Sequence, residues 1–233
     1  MSSQLTRSLK RLIPRRLKRA AKKALLARTF RHAVSEVMSL PPEQIPERRT
    51  LARLLTGWDN DGMAADLDYV EEVAKMATLT EGPVLECGSG LTTVILGLLA
   101  GRRGVNTWSL EHHPEWHARV ASILRQHNIP GVNVCLSPLH DYGDFSWYEL
   151  PATGLPEKFR LVICDGPPES TPGGRYGLVP VLGERLSAGT LILLDDANRA
   201  SESEALRRWT TESGASVSLR EVSTGSFALV TCR

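Results

Sequence analysis

Val84-Leu85-Glu86-Cys87-Gly88-Ser89-Gly90 decides the fold of this chain. It reads as a short buried strand ending in an acidic residue, followed by a glycine-rich turn. A helix over 91–101 comes next. Strand, glycine turn and helix in that order form the first unit of a nucleotide-binding α/β sheet. The glycines let the backbone pass close to a ligand without a Cβ in the way. Glu86 brings a carboxylate to the turn, which repels a diphosphate but suits a sulfonium, an amine or a ribose hydroxyl.

Outward from this turn the pattern repeats. Strands are expected at 105–111, 132–136, 159–165 and 190–195. Helices are expected from Pro114 to 127, over 176–187 and over 201–212. Two closing runs, 215–222 and 226–232, flank Thr224-Gly225, a hairpin signal. Strands alternating with helices imply a parallel sheet covered on both faces. The hairpin adds an antiparallel strand at one edge or inside it. A helix over 61–78 is expected to cover the sheet.

Ligands of such sheets bind at the carboxyl ends of the strands. Four of the five main strands end there in acid: Glu86, Glu111, Asp165 and Asp195. Glu111 lies 21 residues after Gly90, where a carboxylate accepts both ribose hydroxyls of an adenosyl group. Its other reading is an acid at the N-terminus of the Pro114 helix, favoured by the helix dipole. The dinucleotide fingerprint needs a third glycine three residues after Gly90, and Thr93 stands there. The acid before the turn and the missing glycine favour S-adenosylmethionine.

With these residues in hand, 57–232 resembles a class I S-adenosylmethionine-dependent methyltransferase. Residues 84–90 match its first motif, Glu111 its ribose-binding acid, and 159–168 its motif on the fourth strand. The resemblance implies a Rossmann-like, doubly wound seven-stranded sheet with the last strand reversed. It implies that Gly88, Ser89 and Gly90 approach the amino-acid part of the cofactor. It also implies that Glu86, Glu111, His112, Leu139 and Asp165 surround the rest. A narrower resemblance, to metal-dependent O-methyltransferases of the catechol and macrolide-sugar kinds, rests on Asp165 with Asp195-Asp196. It implies Mg²⁺ held by these three carboxylates, lowering the pKa of a substrate hydroxyl. The chain departs from the catechol type in two places. Asp196 stands for the usual Asn, and Pro168 stands where a lysine is usual. Candidates for the catalytic groups are Asp165, His140 and Glu169, with His112 and His113 as further bases. The other reading of Asp195-Asp196 is a helix cap or a pair with Arg199. Arg175 after Gly173-Gly174 has two readings, substrate binding and packing. Trp147-Tyr148 and Trp116 read as core or lid aromatics.

Charge divides the chain. Residues 1–31 hold eleven of the 28 Lys and Arg and no acid, while the remainder carries a net charge of −9. Leu5, Leu9, Leu12, Ile13, Leu17, Leu25, Leu26 and Phe30 recur at helical spacing, with a break expected near Pro14. The expected organisation is a basic amphipathic extension at 1–39, a linker at 40–57 rich in Pro, and the methyltransferase-like domain at 58–233. A basic helix of this kind suits an anionic membrane surface; a helix packed on its own domain and a nucleic-acid arm are the other readings. No run of about 20 apolar residues is present, so no spanning helix is expected. The four cysteines have no metal-ligand spacing and read as reduced core residues. A cytoplasmic protein, peripheral at the inner face of a membrane, fits these features. The functional expectation is O-methylation of a hydroxyl on a small molecule, sugar or membrane-linked glycan or lipid. An RNA methyltransferase and a non-catalytic adaptor are the alternatives.

Overall fold

The computed structural model describes residues 14–58 and 65–233. The expectations for residues 1–13 and for the first turn of the 61–78 helix lie outside these residues. Among the described residues, three helices precede the sheet: α1 (Arg15–Ser39), α2 (Arg48–Trp58) and α3 (Leu67–Leu79). The sheet begins with β1 (Val84–Cys87), α4 (Leu91–Leu99), β2 (Thr107–Glu111), α5 (Pro114–Gln126) and β3 (Val132–Leu136). A small hairpin follows, β4 (Leu139–Asp141) and β5 (Ser146–Tyr148). The second half is β6 (Phe159–Cys164), α6 (Leu178–Leu182), β7 (Leu186–Leu194), α7 (Ala200–Ser213), β8 (Ser216–Val222) and β9 (Gly225–Thr231).

The seven strands run in the order β3-β2-β1-β6-β7-β9-β8, and β9 is antiparallel to both neighbours. This is a doubly wound sheet with a reversed last strand. The chain winds one way from β1 and the other way from β6, so the switch point lies between these two strands. A crevice opens there, beyond their carboxyl ends.

Alternation along the strands builds two apolar layers. Val84, Leu161, Ile163, Leu193 and Phe227 face α1–α5. Leu85, Cys87, Val162, Cys164, Ile192, Leu194, Ala228 and Val230 face Trp147, Tyr148, α6 and α7. The cysteines are free thiols, three of them buried. No described helix is long and apolar enough to cross a membrane.

Four elements differ from the sequence expectations. The 40–57 segment holds a helix, α2, which buries Thr50, Leu51, Leu54 and Trp58 against α1. Leu51, Leu54 and Trp58 recur at steps of three and four, and the prolines that suggested a linker all precede Arg48. Gly57 allows the close contact: a Cβ there would stand 2.7 Å from the Phe30 backbone nitrogen. Helix α3 starts at Leu67, capped by Asp66, which accepts the Asp68 N–H at 2.8 Å. The 176–187 helix shrinks to α6, because Gly183 turns the chain at φ 45°. The segment after β3 folds as the β4/β5 hairpin.

Candidate functional site

Gly88 closes β1 in the left-handed region, at φ 89°. A Cβ there would lie 2.9 Å from Gly166 N, so the β1 and β6 turns touch through bare backbone. Gly90 is extended, and a Cβ on it would meet nothing within 4 Å. The turn is tied to its neighbours by side chains. Ser89 donates its N–H and its hydroxyl to Glu111 Oε2, at 3.1 and 2.7 Å. Trp116 of α5 donates its indole N–H to the Ser89 carbonyl at 2.6 Å. Glu111 Oε1 accepts the His113 N–H at 2.8 Å and lies 3.3 Å from His112 Nδ1.

These residues form one end of a cavity of about 1080 Å³ at the switch point. Gly88, Ser89, Glu111, His112, His113, Trp116, Arg119 and Tyr148 line this end. Arg119 lies over the Trp116 ring, 4.5 Å from its centroid. Tyr148 sits in the floor, and its buried hydroxyl has no hydrogen-bond partner. A buried hydroxyl without a partner is costly. A polar ligand in the cavity would supply what is missing.

The other end is charged. Asp165, Asp195 and Asp196 stand after β6 and β7, with carboxylate oxygens within 4.8 Å of one another. Arg175, 2% exposed at its side chain, sits among them. Its Nη2 lies 3.3 Å from Asp165 Oδ1 and 3.0 Å from Asp196 Oδ2. It also donates to the carbonyls of Cys164, Asp165 and Asp195. Arg199 pairs with Asp196 Oδ2 at 2.8 Å. Glu202, fully buried, lies 3.7 Å from Arg175 Nε. The guanidinium thus joins the ends of β6 and β7, with its charge balanced by carboxylates on three sides. Desolvation, and after it mutual repulsion, pushes the Asp195 carboxyl well above the ordinary range. Desolvation raises Asp165 as well, opposed by Arg175. Asp165 keeps 34% of its side chain exposed, so water in the cavity tempers its rise.

The expected Mg²⁺ site does not fit this arrangement. Two of its three ligands already share one buried guanidinium, and Asp196 Oδ2 also holds Arg199. A divalent cation at the same oxygens would face that fixed positive charge at close range. Arg175 is the residue that sequence reasoning undervalued. Its only local signal is the turn after Gly173-Gly174, and nothing there shows that it reaches β6 and β7.

Other expected site residues separate. Gly88, Ser89, Glu111, His112, Asp165, Glu169, Asp195 and Asp196 all line the cavity. Glu86 does not, which corrects its expected place beside the ligand. It is fully buried under the turn, where its Oε2 accepts the hydroxyls of Thr93, at 2.6 Å, and Ser109. Thr93 in turn accepts the Gly90 N–H at 2.8 Å, so Glu86 supports the turn from behind. Alternation on β1 turns Glu86 to the α4 face and leaves Gly88 at the tip. Desolvation raises its carboxyl to about 7. His140 is also outside the cavity: it is exposed on β4, with its ring against Tyr142. Leu139 pairs with Tyr148 across the hairpin and packs against the apolar layer that holds Trp147 and Tyr148. Neither Leu139 nor His140 lines the cavity.

No family model and no curated protein matches this sequence. Solved structures do match its fold. A methyltransferase from Podospora anserina, PaMTH1, bound to S-adenosylhomocysteine, superposes with a TM-score of 0.55 at 14% identity, over 95% of this chain and 98% of that one. The O-methyltransferase from Bacillus cereus, also in complex with S-adenosylhomocysteine, gives 0.55 at 14% identity, over 81% and 93%. The tRNA (m1A58) methyltransferase TrmI from Aquifex aeolicus gives 0.53 at 16%, over 80% and 76%.

The chain has the class I methyltransferase fold. Within this methyltransferase fold, the cavity occupies the crevice at the switch point. Glu111 and the Gly88 turn stand on one side of it, and the Arg175 cluster on the other.

Proposed function

We propose that this chain is an S-adenosylmethionine-dependent methyltransferase acting on a hydroxyl group of a small molecule or sugar. The observation that carries the reading is the cavity itself. It places Glu111 and the bare Gly88 turn at one end and paired carboxylates at the other, in the crevice where such sheets bind nucleosides. When bound, S-adenosylmethionine supplies an electrophilic methyl carbon on a cationic sulfur. Glu111 would accept the ribose hydroxyls on the lone pairs left free by Ser89 and His113. Tyr148 would give its unpartnered hydroxyl to a polar atom of the same ligand. The carboxylates of Asp165 and Asp195 favour a cationic centre between the two ends, and one of them would receive the acceptor's proton. Arg175 fixes both at the ends of their strands. Its backbone bonds hold the carboxylates in place before substrate arrives, and this positioning supplies much of the expected rate gain.

Calorimetry with S-adenosylhomocysteine tests the first half of this reading, and a methyl-transfer screen over phenols, sugars and RNA tests the second. Binding that survives when Asp165 and Glu111 are both replaced by alanine would refute the assigned pocket. Transfer to RNA but to no hydroxyl acceptor of the small-molecule set would refute the acceptor class.

A further inference from the structure

Helix α1 has two halves with different neighbours. Phe30, Ala33, Val34 and Val37 are buried against the body, chiefly on α2. From residue 14 to residue 25 every position is exposed. At 3.6 residues per turn, Leu17, Ala20, Ala21, Ala24 and Leu25 share one side of this outer half. Arg15, Arg16, Lys18, Arg19 and Lys23 cover the other side. Leu17 is 60% exposed and Leu25 64%.

The apolar side of the outer half is not a continuation of the buried side of the inner half. Placed on the same helical wheel, the two sides lie well over 90° apart. The face that packs on the body at Phe30 and Val37 becomes cationic towards the N-terminus. The Leu17–Leu25 face therefore does not continue the packing of α1 on its own domain. No acid occurs before Glu36, so the outer half of the helix has no acid of its own. A helix with one apolar side and one strongly cationic side matches a surface that offers acyl chains and phosphates together. A polyanion such as RNA answers to the cations alone and leaves both leucines in water.

We infer that residues 15–25 of α1 form a docking surface for an anionic phospholipid bilayer. Leu17 and Leu25 enter the boundary of the acyl chains. The arginines and lysines, on long flexible stems, reach the headgroup phosphates. The alanines between the leucines make the apolar side shallow. Attachment is then reversible and strongly dependent on anionic lipid and on salt. Phe30 meets Trp58, and Trp58 meets Trp116 in the cavity wall, at ring-centroid distances of 5.8 and 6.2 Å. The docking helix is thus joined through packed aromatic rings to the wall of the cavity.

The test is co-sedimentation of the full chain with phosphatidylcholine vesicles containing or lacking phosphatidylserine, at low and high salt. Two variants accompany it: Leu17→Ser with Leu25→Ser, and Arg15→Gln with Arg16→Gln, Lys18→Gln and Arg19→Gln. The wild type should bind the phosphatidylserine vesicles, and high salt should release it. Each variant should weaken binding at least about tenfold, with S-adenosylhomocysteine affinity unchanged as a measure of an intact fold. Three results would overturn the inference. One is the absence of binding to anionic vesicles at low salt. Another is vesicle binding that the leucine variant leaves intact, accompanied by equal binding to duplex RNA. The third is a wild-type dimer in solution that the leucine pair makes monomeric, which would assign the face to a second copy of the chain.

Discussion

Replacing Glu86 with glutamine should make the protein's stability less dependent on pH, in a direction and by an amount that the structure sets. The carboxyl is fully buried, and desolvation raises it from the ordinary 4.5 to about 7 even with two hydroxyls donating to it. Below about pH 4.5 both the folded and unfolded chains hold the proton, and the group contributes no pH dependence. Between about 4.5 and 7 the unfolded chain gives the proton up while the folded chain keeps it. Stability therefore falls as pH rises through this window. The full loss above about 7 is about 3 kcal/mol, because one pKa unit corresponds to about 1.4 kcal/mol. Glutamine has no such loss. Its carbonyl accepts the same hydroxyls, while its amide NH₂ meets the place where Glu86 Oε1 has no partner. That unmet donor costs about 1–3 kcal/mol at every pH, so it lowers the baseline without changing the slope. Urea unfolding of both proteins from about pH 5 to about pH 8 measures the difference. The variant should gain on the wild type by about 2–3 kcal/mol across that range. A constant difference, or one that moves the other way, would refute the buried, proton-holding Glu86. S-adenosylhomocysteine affinity adds a second check. A large loss of affinity in the variant would return the carboxylate to the cavity.

Glu111→Ala should weaken S-adenosylhomocysteine binding by about 1–3 kcal/mol in calorimetry, since it removes a charged acceptor from the lining of the cavity. Arg175→Met should lower stability by about 3–5 kcal/mol in denaturant unfolding, because it leaves Asp165, Asp196 and Glu202 without their buried cation; a change under about 1 kcal/mol would remove Arg175 from its central role. Chelator should leave methyl transfer and S-adenosylhomocysteine affinity unchanged, and added Mg²⁺ should not increase them. A chelator-sensitive rate restored by Mg²⁺ would show that a metal displaces the guanidinium. With Asp165 and Asp195 raised and the ionised carboxylate acting as base, activity should climb with pH above the ordinary carboxylate range. Asp195→Asn should flatten or shift that limb in a pH–rate profile.

The sheet could be read from the chain with little loss. The β1 turn, the strand runs and the hairpin each carry a local signature, and the observed strands fall on the expected ones within a few residues. The acids at the strand ends were also legible, because a parallel sheet puts all those ends on one edge. The helix α2 was not, since the prolines before Arg48 obscured its apolar spacing. The hairpin after β3 was missed for a related reason. Its strands have three residues each, too short for alternation to show.

The sequence alone determined which residues could meet: Gly88, Glu111, Asp165 and Asp195 share one edge because parallel strands point the same way. Only the tertiary structure decided which of them face a ligand. Glu86 turns inward because β1 alternates beneath α4, where Thr93 and Ser109 supply its donors. The three aspartates acquire Arg175 because a loop outside the strands folds back over β6 and β7. Burial and charge pairing are set by neighbours distant in the chain, and no local pattern of residues encodes them.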